Sequence, residues 1–467
     1  MRTRFSPLLL GVALVAAGCA TEGSADVGAP IVDVEVLSGD VETTTVVPLV
    51  TTTTVAPATS TTSTTTTTTI PVNPACSTAG FASTGENPAA QALVARLEAA
   101  IAHPGFAGHN VSMSVWVDGW GEVATHNPDL RLFPASNQKV LTAIGANELL
   151  ELDAKLTTEI ELLDDDLVIR AGADPTLTFP RLMGAIDTAL PAIGTAIDQL
   201  IVDVTEFPQG PQADGWLDWH MPRFVGPLSG LMLENNRWTQ SEQLQRDPEQ
   251  VNGERIASFL GERGVSVGSV SVARTSRPAN GQTVATVESA PIDSLVRTML
   301  LSSDNQHADL LLMELGRVSS GEGTLEGGAA AVESVLYENC GSLDGLIDDG
   351  SGLSRGNQRS ARSFVQSMVA VHGTPQGDLL RGQLPVGGVS GTLAGRFGGP
   401  NAGRVQAKTG TILNGRSLSG WAMTADGRDA IFSVIVNGDD GATSGSVGAI
   451  DALVREIIAV PAPATAK

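Results

Sequence analysis

From residue 20 to about residue 75 the chain is dominated by threonine, in runs at 43–45, 51–54 and 64–69 broken by Pro, Val and Ser. Low-complexity sequence of this kind has too little apolar surface to offset the entropy of ordering it. Any packed core must therefore be built from the residues that follow, and the Thr-rich stretch (19–78 with its flanks) is expected to be a disordered linker. As a flexible chain of about 55 residues it spans roughly 40 Å.

The residues ahead of the linker read as an export signal. Arg2 and Arg4 precede an apolar run from Leu8 to Ala17 that ends at Gly18-Cys19. That is a charged start, a hydrophobic stretch too short to span a bilayer, and a small-residue cleavage site. Ala16-Ala17-Gly18-Cys19 resembles a bacterial lipobox, so residues 1–18 are expected to be a lipoprotein signal peptide and Cys19 the lipidated N-terminus. An ordinary secretory signal with an incidental Cys is the alternative. The expected location is the outer face of the cytoplasmic membrane and the cell-wall space, with a lipid anchor holding the protein to the membrane. Cys76 and Cys340 then remain as an even pair in an oxidising compartment. They either form a disulfide or stay as two separate buried thiols.

Composition excludes one class of partner. The net charge is −23 and aromatic residues make up only 4% of the chain. A phosphate backbone would be repelled and bases would find no stacking platform, so no nucleic acid is expected. The basic residues are more informative, since 24 of the 28 are arginine and the lysines are only Lys139, Lys155, Lys408 and Lys467. Arginine keeps its proton in proteins, whereas a buried lysine can release its own and act as a base.

The folded part reads as α+β. Asn87-Pro88 is a helix start, and Leu93, Val94, Leu97 and Ile101 give that helix one apolar face. An alternating stretch at 111–117, Asp118-Gly119 and a short strand at 122–125 read as a hairpin. A strand at 430–436 and a helix at 447–458 mirror this arrangement at the other end. Between 157 and 285 short β segments are broken by Gly, Pro and Asp, which suggests a β-rich inserted domain. The catalytic domain would then comprise 79–156 and 286–462.

Three polar triplets stand out. Ser136-Asn137-Gln138-Lys139 opens a helical run, and a spacing of i to i+3 puts both functional side chains on one face. A serine hydroxyl needs a base, and a desolvated neutral lysine can provide one. Free N–H groups in a first helical turn can hold an oxyanion. Ser303-Asp304-Asn305 lies between two helical stretches, 292–301 and 306–315. Ser303 is placed there to relay a proton and Asn305 to hold a substrate amide. Lys408-Thr409-Gly410-Thr411 reads as a strand whose edge can pair with an extended peptide while Lys408 and Thr409 grip a carboxylate. Each triplet alone also fits a bland reading: a helix N-cap with an exposed lysine, a helix stop, a β-turn.

Together and in this order, S-x-x-K, S-D-N and K-T-G are the signature of penicillin-binding proteins and serine β-lactamases. The chain resembles the D-alanyl-D-alanine carboxypeptidase/endopeptidase family of low-molecular-mass (class C) penicillin-binding proteins over about residues 85–460. Further stretches carry the resemblance: Gly172-Ala173-Asp174-Pro175, Asp349-Gly350-Ser351-Gly352-Leu353-Ser354-Arg355, and 384–393. The resemblance implies a penicillin-binding-protein/serine β-lactamase-like transpeptidase fold, an antiparallel sheet flanked by helices. It implies Ser136 as acylated nucleophile, Lys139 as base and Ser303 as relay. Asn305, Lys408, Thr409, Gly410 and Thr411 become substrate-binding, with the N–H groups of Ser136 and Thr411 forming the oxyanion hole. The implied substrates are peptidoglycan peptides ending in D-Ala-D-Ala, with β-lactam antibiotics as acylating mimics. Lys139 is expected to be neutral, its pKa lowered by burial and by the charge of Lys408.

Other patterns carry less. Gly264-Val265-Ser266-Val267-Gly268 matches a nucleophile elbow but lacks the strand–turn–helix context. Tyr337-Glu338-Asn339 matches a variant of the second triplet, yet ends an amphipathic helix. The six histidines show no metal spacing, and no metal or cofactor is expected; His307 is read as a partly exposed helix residue. Two rival functions share the site: a β-lactamase, for which no E-x-x-L-N pattern supplies a water-activating Glu, and a non-catalytic peptidoglycan-binding homologue.

Overall fold

The computed structural model describes residues 73–76, 81, 87–439 and 442–460. The signal sequence, Cys19 and the Thr-rich runs lie outside the described residues, as does Lys467. The folded chain from residue 68 onward clusters as one compact unit.

Among the described residues twelve strands form three sheets. The first sheet joins β1 (Asn110–Val117) and β2 (Gly121–His126) to three strands from the far end of the chain. The second is built from β3 (Lys155–Leu163), β4 (Asp166–Arg170), β5 (Ala196–Asp203), β6 (Ser266–Ala273) and β7 (Gln282–Pro291). A two-stranded pair, β8 (Gly345–Leu346) and β9 (Gln358–Arg359), brackets the Asp349–Arg355 loop. The remaining strands of the first sheet are β10 (Val405–Ile412), β11 (Gly415–Met423) and β12 (Asp429–Asn437), in the order β10-β11-β12-β1-β2. Every pairing in that sheet is antiparallel, with Ser114 opposite Ser433 and Lys408 opposite Ser419.

The central strand shows why the sheet is covered on both sides. In β12, Phe432, Val434 and Val436 pack with Leu93, Leu97 and Leu453, from the first and last helices, Pro88–Ile101 and Ser446–Ile458. Ile431 and Ile435 point the other way, into a core with Val140, Ile144, Leu311 and Phe364. Side chains alternate across a strand, so a sheet buried on both faces must be apolar at nearly every position. The helix Gln138–Leu149, two residues after Ser136, runs through this second core, and every residue from Gln138 to Asn147 is buried.

The chain between residues 157 and 285 departs from the β-rich reading. Its sheet, in the order β6-β5-β4-β3-β7, is mixed: β4, β5 and β6 run parallel, which requires crossovers. Two fifteen-residue helices, Phe179–Ile193 and Pro248–Glu262, supply them and pack their apolar faces into a core of their own. The first was missed in the sequence because Pro180 and Pro191 interrupt it. Pro180 sits harmlessly in the first turn, while Pro191 occupies the last. Cys76 and Cys340 are joined by a disulfide, and Asn73 Nδ2 donates to the Tyr337 carbonyl (3.1 Å) beside it.

Candidate active site

The nucleophile candidate is set by backbone geometry before any side chain acts. Ala135 lies in the left-handed region at φ 50°, which turns the chain sharply into the short 3₁₀ turn Ala135–Asn137 and then into the helix. Non-glycine residues in this region are strained and are retained where the surroundings dictate them. The turn leaves Ser136 half-buried at the mouth of a cleft and Lys139 fully buried below it.

The ammonium-bearing groups of the first and third triplets come to the same place. Lys139 Nζ lies 3.1 Å from Ser136 Oγ, 2.8 Å from Asn305 Oδ1 and 2.5 Å from the Ser351 carbonyl oxygen. Lys408 Nζ donates to Ser303 Oγ (2.8 Å) and to the Thr409 carbonyl (2.8 Å). Both lysines are completely buried, whereas Lys155 forms an exposed ion pair with Glu288. Burial pushes the Lys139 amine down to about 8, although the carboxylates of Asp309, Asp349 and Asp304 pull it up. Burial also lowers Lys408 well below the usual lysine value, and there the charge of Lys139 adds to the effect. The like charges of the two neighbouring amines each disfavour the protonated form of the other.

The Ser303-Asp304-Asn305 corner is a helix-to-helix junction, between Ile292–Ser302 and Asn305–Ser320. Ser303 takes φ 62°, ending one helix, and Asp304 caps the next through the His307 N–H (2.9 Å). Burial works against the Asp304 carboxylate, but its bonds to His307 prevail and hold it near 2. His307 is itself buried, not partly exposed, because it packs back on this cap with Nδ1 3.0 Å from Asp304. The Asn305 amide is used at both ends: Oδ1 accepts from Lys139, and Nδ2 donates one proton to the Phe224 carbonyl (3.0 Å).

β10 forms the outer edge of the first sheet. Chain 385–387 covers that edge at residues 405–407, through Gly387 N–H to Val405 O and Ala407 N–H to Pro385 O. From Lys408 onward no further strand pairs with this edge among the described residues. Gly410 has a specific reason to be glycine: a Cβ there would overlap Ser417 Oγ and crowd the Pro134 carbonyl. The strand can thus lie directly over the turn that carries Ser136. Asn137 locks the two together, its amide donating to the Lys408 carbonyl (2.8 Å) and accepting from Ser419 Oγ (2.5 Å). Thr409 Oγ1 bonds Thr392 Oγ1 (2.8 Å), and Thr411 is exposed.

Several residues of the site carry no role in the sequence reading. The Asp349–Arg355 loop was visible only as a stretch that carries the family resemblance. In the structure the buried Asp349 carboxylate gathers five donors: Gly352 N–H, Ser354 N–H, Asn357 Nδ2, Ser351 Oγ and Trp216 Nε1. Gly352, at φ 83°, packs where a Cβ would strike the Ala135 carbonyl. The loop thereby reaches beneath the nucleophile and turns the Ser351 carbonyl onto Lys139. Trp219, His220 and Phe224 wall the cleft on one side, and Leu353, Ile412 and Leu413 on the other. None of these six residues is assigned a role by the sequence. The two decoys fall outside the cleft: Gly264 follows the helix Pro248–Glu262 at φ 82°, and Tyr337 lies beside the disulfide.

A sheet covered by helices on both faces, with a serine–lysine pair at a helix start and a lysine strand at its edge, defines a serine acyl-enzyme hydrolase of the penicillin-recognising type. The same architecture occurs in penicillin binding protein 4 (dacB) from Haemophilus influenzae, with a TM-score of 0.67 and 20% identity, over 78% of this chain and 97% of that one. Among characterised sequences, carboxypeptidase DacB of Mycolicibacterium smegmatis is 28% identical over 79% of this chain and 85% of its own length. The D-alanyl-D-alanine carboxypeptidase of Actinomadura sp. R39 is 26% identical over 67% and 74%. The model of the D-Ala-D-Ala carboxypeptidase 3 (S13) family matches residues 93–246 and 239–456, and the chain belongs to that family. It is a serine-type D-Ala-D-Ala carboxypeptidase.

Proposed function

We propose that Ser136 attacks the carbonyl of the penultimate D-Ala of a peptidoglycan stem peptide, with Lys139 as its base. The observation that carries this reading is the set of neighbours around the Lys139 amine. A neutral amine has two N–H donors and one lone pair. Asn305 Oδ1 and the Ser351 carbonyl can only accept, so they take both N–H bonds. The lone pair is left for the third neighbour, the Ser136 hydroxyl. The depressed amine pKa keeps a useful fraction of Lys139 in that state.

The remaining roles follow from this one. As the serine oxygen bonds to carbon, the carbonyl oxygen becomes an oxyanion facing the N–H groups of Ser136 and Thr411. The peptide lies along the open edge of β10, its terminal carboxylate against Lys408 and Thr409 and its amide side chain contacts against the free proton of Asn305. Ser303, bonded to Lys408, passes the proton to the departing amine, and water then releases the ester. The leaving amine is D-Ala in carboxypeptidase action and a cross-linking side chain in endopeptidase action. Penicillin enters the same path and remains as a Ser136 ester. Cys19, directly after an apolar run and small residues, is the lipid anchor that holds the enzyme outside the cytoplasmic membrane.

Mass spectrometry after incubation with a fluorescent penicillin tests the nucleophile. Label on the peptide containing Ser136, absent in Ser136→Ala, is the expected result; rapid multiple turnover would instead favour a β-lactamase. Chromatography of purified muropeptides before and after treatment reads the two peptidase activities. Fatty-acid labelling lost in Cys19→Ala reads the anchor.

A further inference from the structure

A fully buried carboxyl stands directly behind this site without a part in the chemistry described so far. Asp309 lies one turn after Asn305 on the helix Asn305–Ser320, on the face turned towards the nucleophile helix. Its Oδ1 accepts the Gly350 N–H (2.9 Å). The Gly350 carbonyl accepts from Thr142 Oγ1 (2.9 Å), and Thr142 is the next residue after Lys139 on the same helical face. The Gly350 peptide is thus held at both ends, once by each helix. The next carbonyl along the chain is that of Ser351, which fixes the Lys139 amine.

We propose that Asp309 is a positioning residue for the base: as an undissociated acid it anchors the Gly350–Ser351 peptide, which aims the Lys139 lone pair at Ser136. This rests on the reading of Lys139 as base. The case for the undissociated form is geometric. Two carboxyls are buried beside Lys139, and they are furnished very differently. Asp349 receives five donors, as an anion requires, whereas Asp309 receives the Gly350 N–H and shares only the Ser351 hydroxyl that already bonds Asp349. A buried ionised carboxylate with few donors is costly, and a second anion next to the first raises the cost. Burial and the neighbouring Asp349 accordingly push the Asp309 carboxyl well above the usual range, against the pull of Lys139. The charged groups facing this cluster are Lys139 from the nucleophile helix, Asp349 from the loop, Asp304 from the same helix corner and Lys408 from β10 by way of Lys139.

A neutral Asp309 serves the reaction in a way an anion would not. A second buried anion would stabilise the ammonium form and leave less free amine at working pH. The neutral acid keeps the acceptor that the loop needs and adds no charge.

The test compares Asp309→Asn, which keeps a neutral acceptor of the same shape, with Asp309→Ala, which removes it. The readout is the second-order rate of Ser136 acylation by a fluorescent penicillin, followed against pH in the full-length protein. Asp309→Ala is expected to lose about tenfold or more in rate, since small misplacement of reacting groups is expensive. Asp309→Asn should recover most of that loss, with the acid limb of the profile where it stands in the parent. A limb in Asp309→Asn displaced downward by a pH unit or more would overturn the proposal, because that is the mark of a lost anion. So would an Asp309→Ala enzyme as fast as the parent. If Asp309→Ala does not fold, ¹³C NMR of the Asp309 carboxyl in the parent decides the protonation state: no ionisation through the neutral range is expected, and ionisation in the ordinary aspartate range refutes it. Lys139→Met separates the two levels of the argument. If it still acylates at the parental rate, the base assignment fails independently of Asp309.

Discussion

The depressed pKa of Lys139 can be read directly from the pH dependence of acylation. Burial lowers this amine to about 8 against the pull of neighbouring aspartates, and the reactive form is the neutral one. With a value near 8, about one tenth of the enzyme carries a free amine at pH 7 and about one hundredth at pH 6. An ordinary lysine would offer only roughly three parts in ten thousand at pH 7, so burial is worth about two to three powers of ten in active enzyme. The second-order rate of acylation reports ionisations of the free protein. Stopped-flow measurement with a chromogenic β-lactam should therefore give a line of unit slope from pH 5.5 to 7.5, about tenfold per pH unit, levelling off above about 8. A rate that is flat across the acid range, or one that still climbs tenfold per unit beyond pH 10, would refute the assignment of Lys139 as the base.

The stability consequence of the same amine has a definite sign. Because its folded pKa lies below the unfolded value, the unfolded chain holds the extra proton between about pH 8 and 10.5. The parent should gain stability relative to Lys139→Met as pH rises through that window, by up to about 3 kcal/mol, and thermal melts at both ends of it will tell. Gly410→Ala should lower the melting temperature, by the equivalent of about 1–3 kcal/mol for an overpacked site, and slow penicillin labelling, since its methyl collides with Ser417 and Pro134. Trp216→Phe removes one of five donors to Asp349 and should cost about 1–3 kcal/mol in denaturant melts, with slower acylation from a looser loop. Cys76→Ala with Cys340→Ala opens a crosslink between residues 264 positions apart, and a loss of roughly 2–5 kcal/mol is expected by calorimetry.

The side chains that converge at the candidate site were legible in the sequence, because the chemistry proposed for them demands particular types at particular spacings. Ser136 and Lys139 had to share a helical face, and lysine was too rare to be incidental. The outer strands and the first and last helices were equally legible, since two-sided burial of β12 and one-sided burial of Pro88–Ile101 leave different periodicities. What escaped notice is organised by contacts remote in sequence. Asp349 is an ordinary loop aspartate until Trp216 and Asn357 meet it, and Asp309 is one polar residue on a helix until Gly350 comes to rest against it. The helix Phe179–Ile193 was hidden by prolines whose positions, at its two ends, make them harmless.

The strands β3 and β7 lie side by side, with Lys155 opposite Pro291, and Ile292 N–H returns to the Ala154 carbonyl. The polypeptide that leaves the neighbourhood of the nucleophile thus comes back to its point of departure before starting the helix that ends at Ser303. A detour with touching ends imposes no distance of its own on what lies before and after it. Its length and contents are free to change between homologous enzymes, so the territory facing the substrate can be redesigned while the reacting atoms keep their spacing.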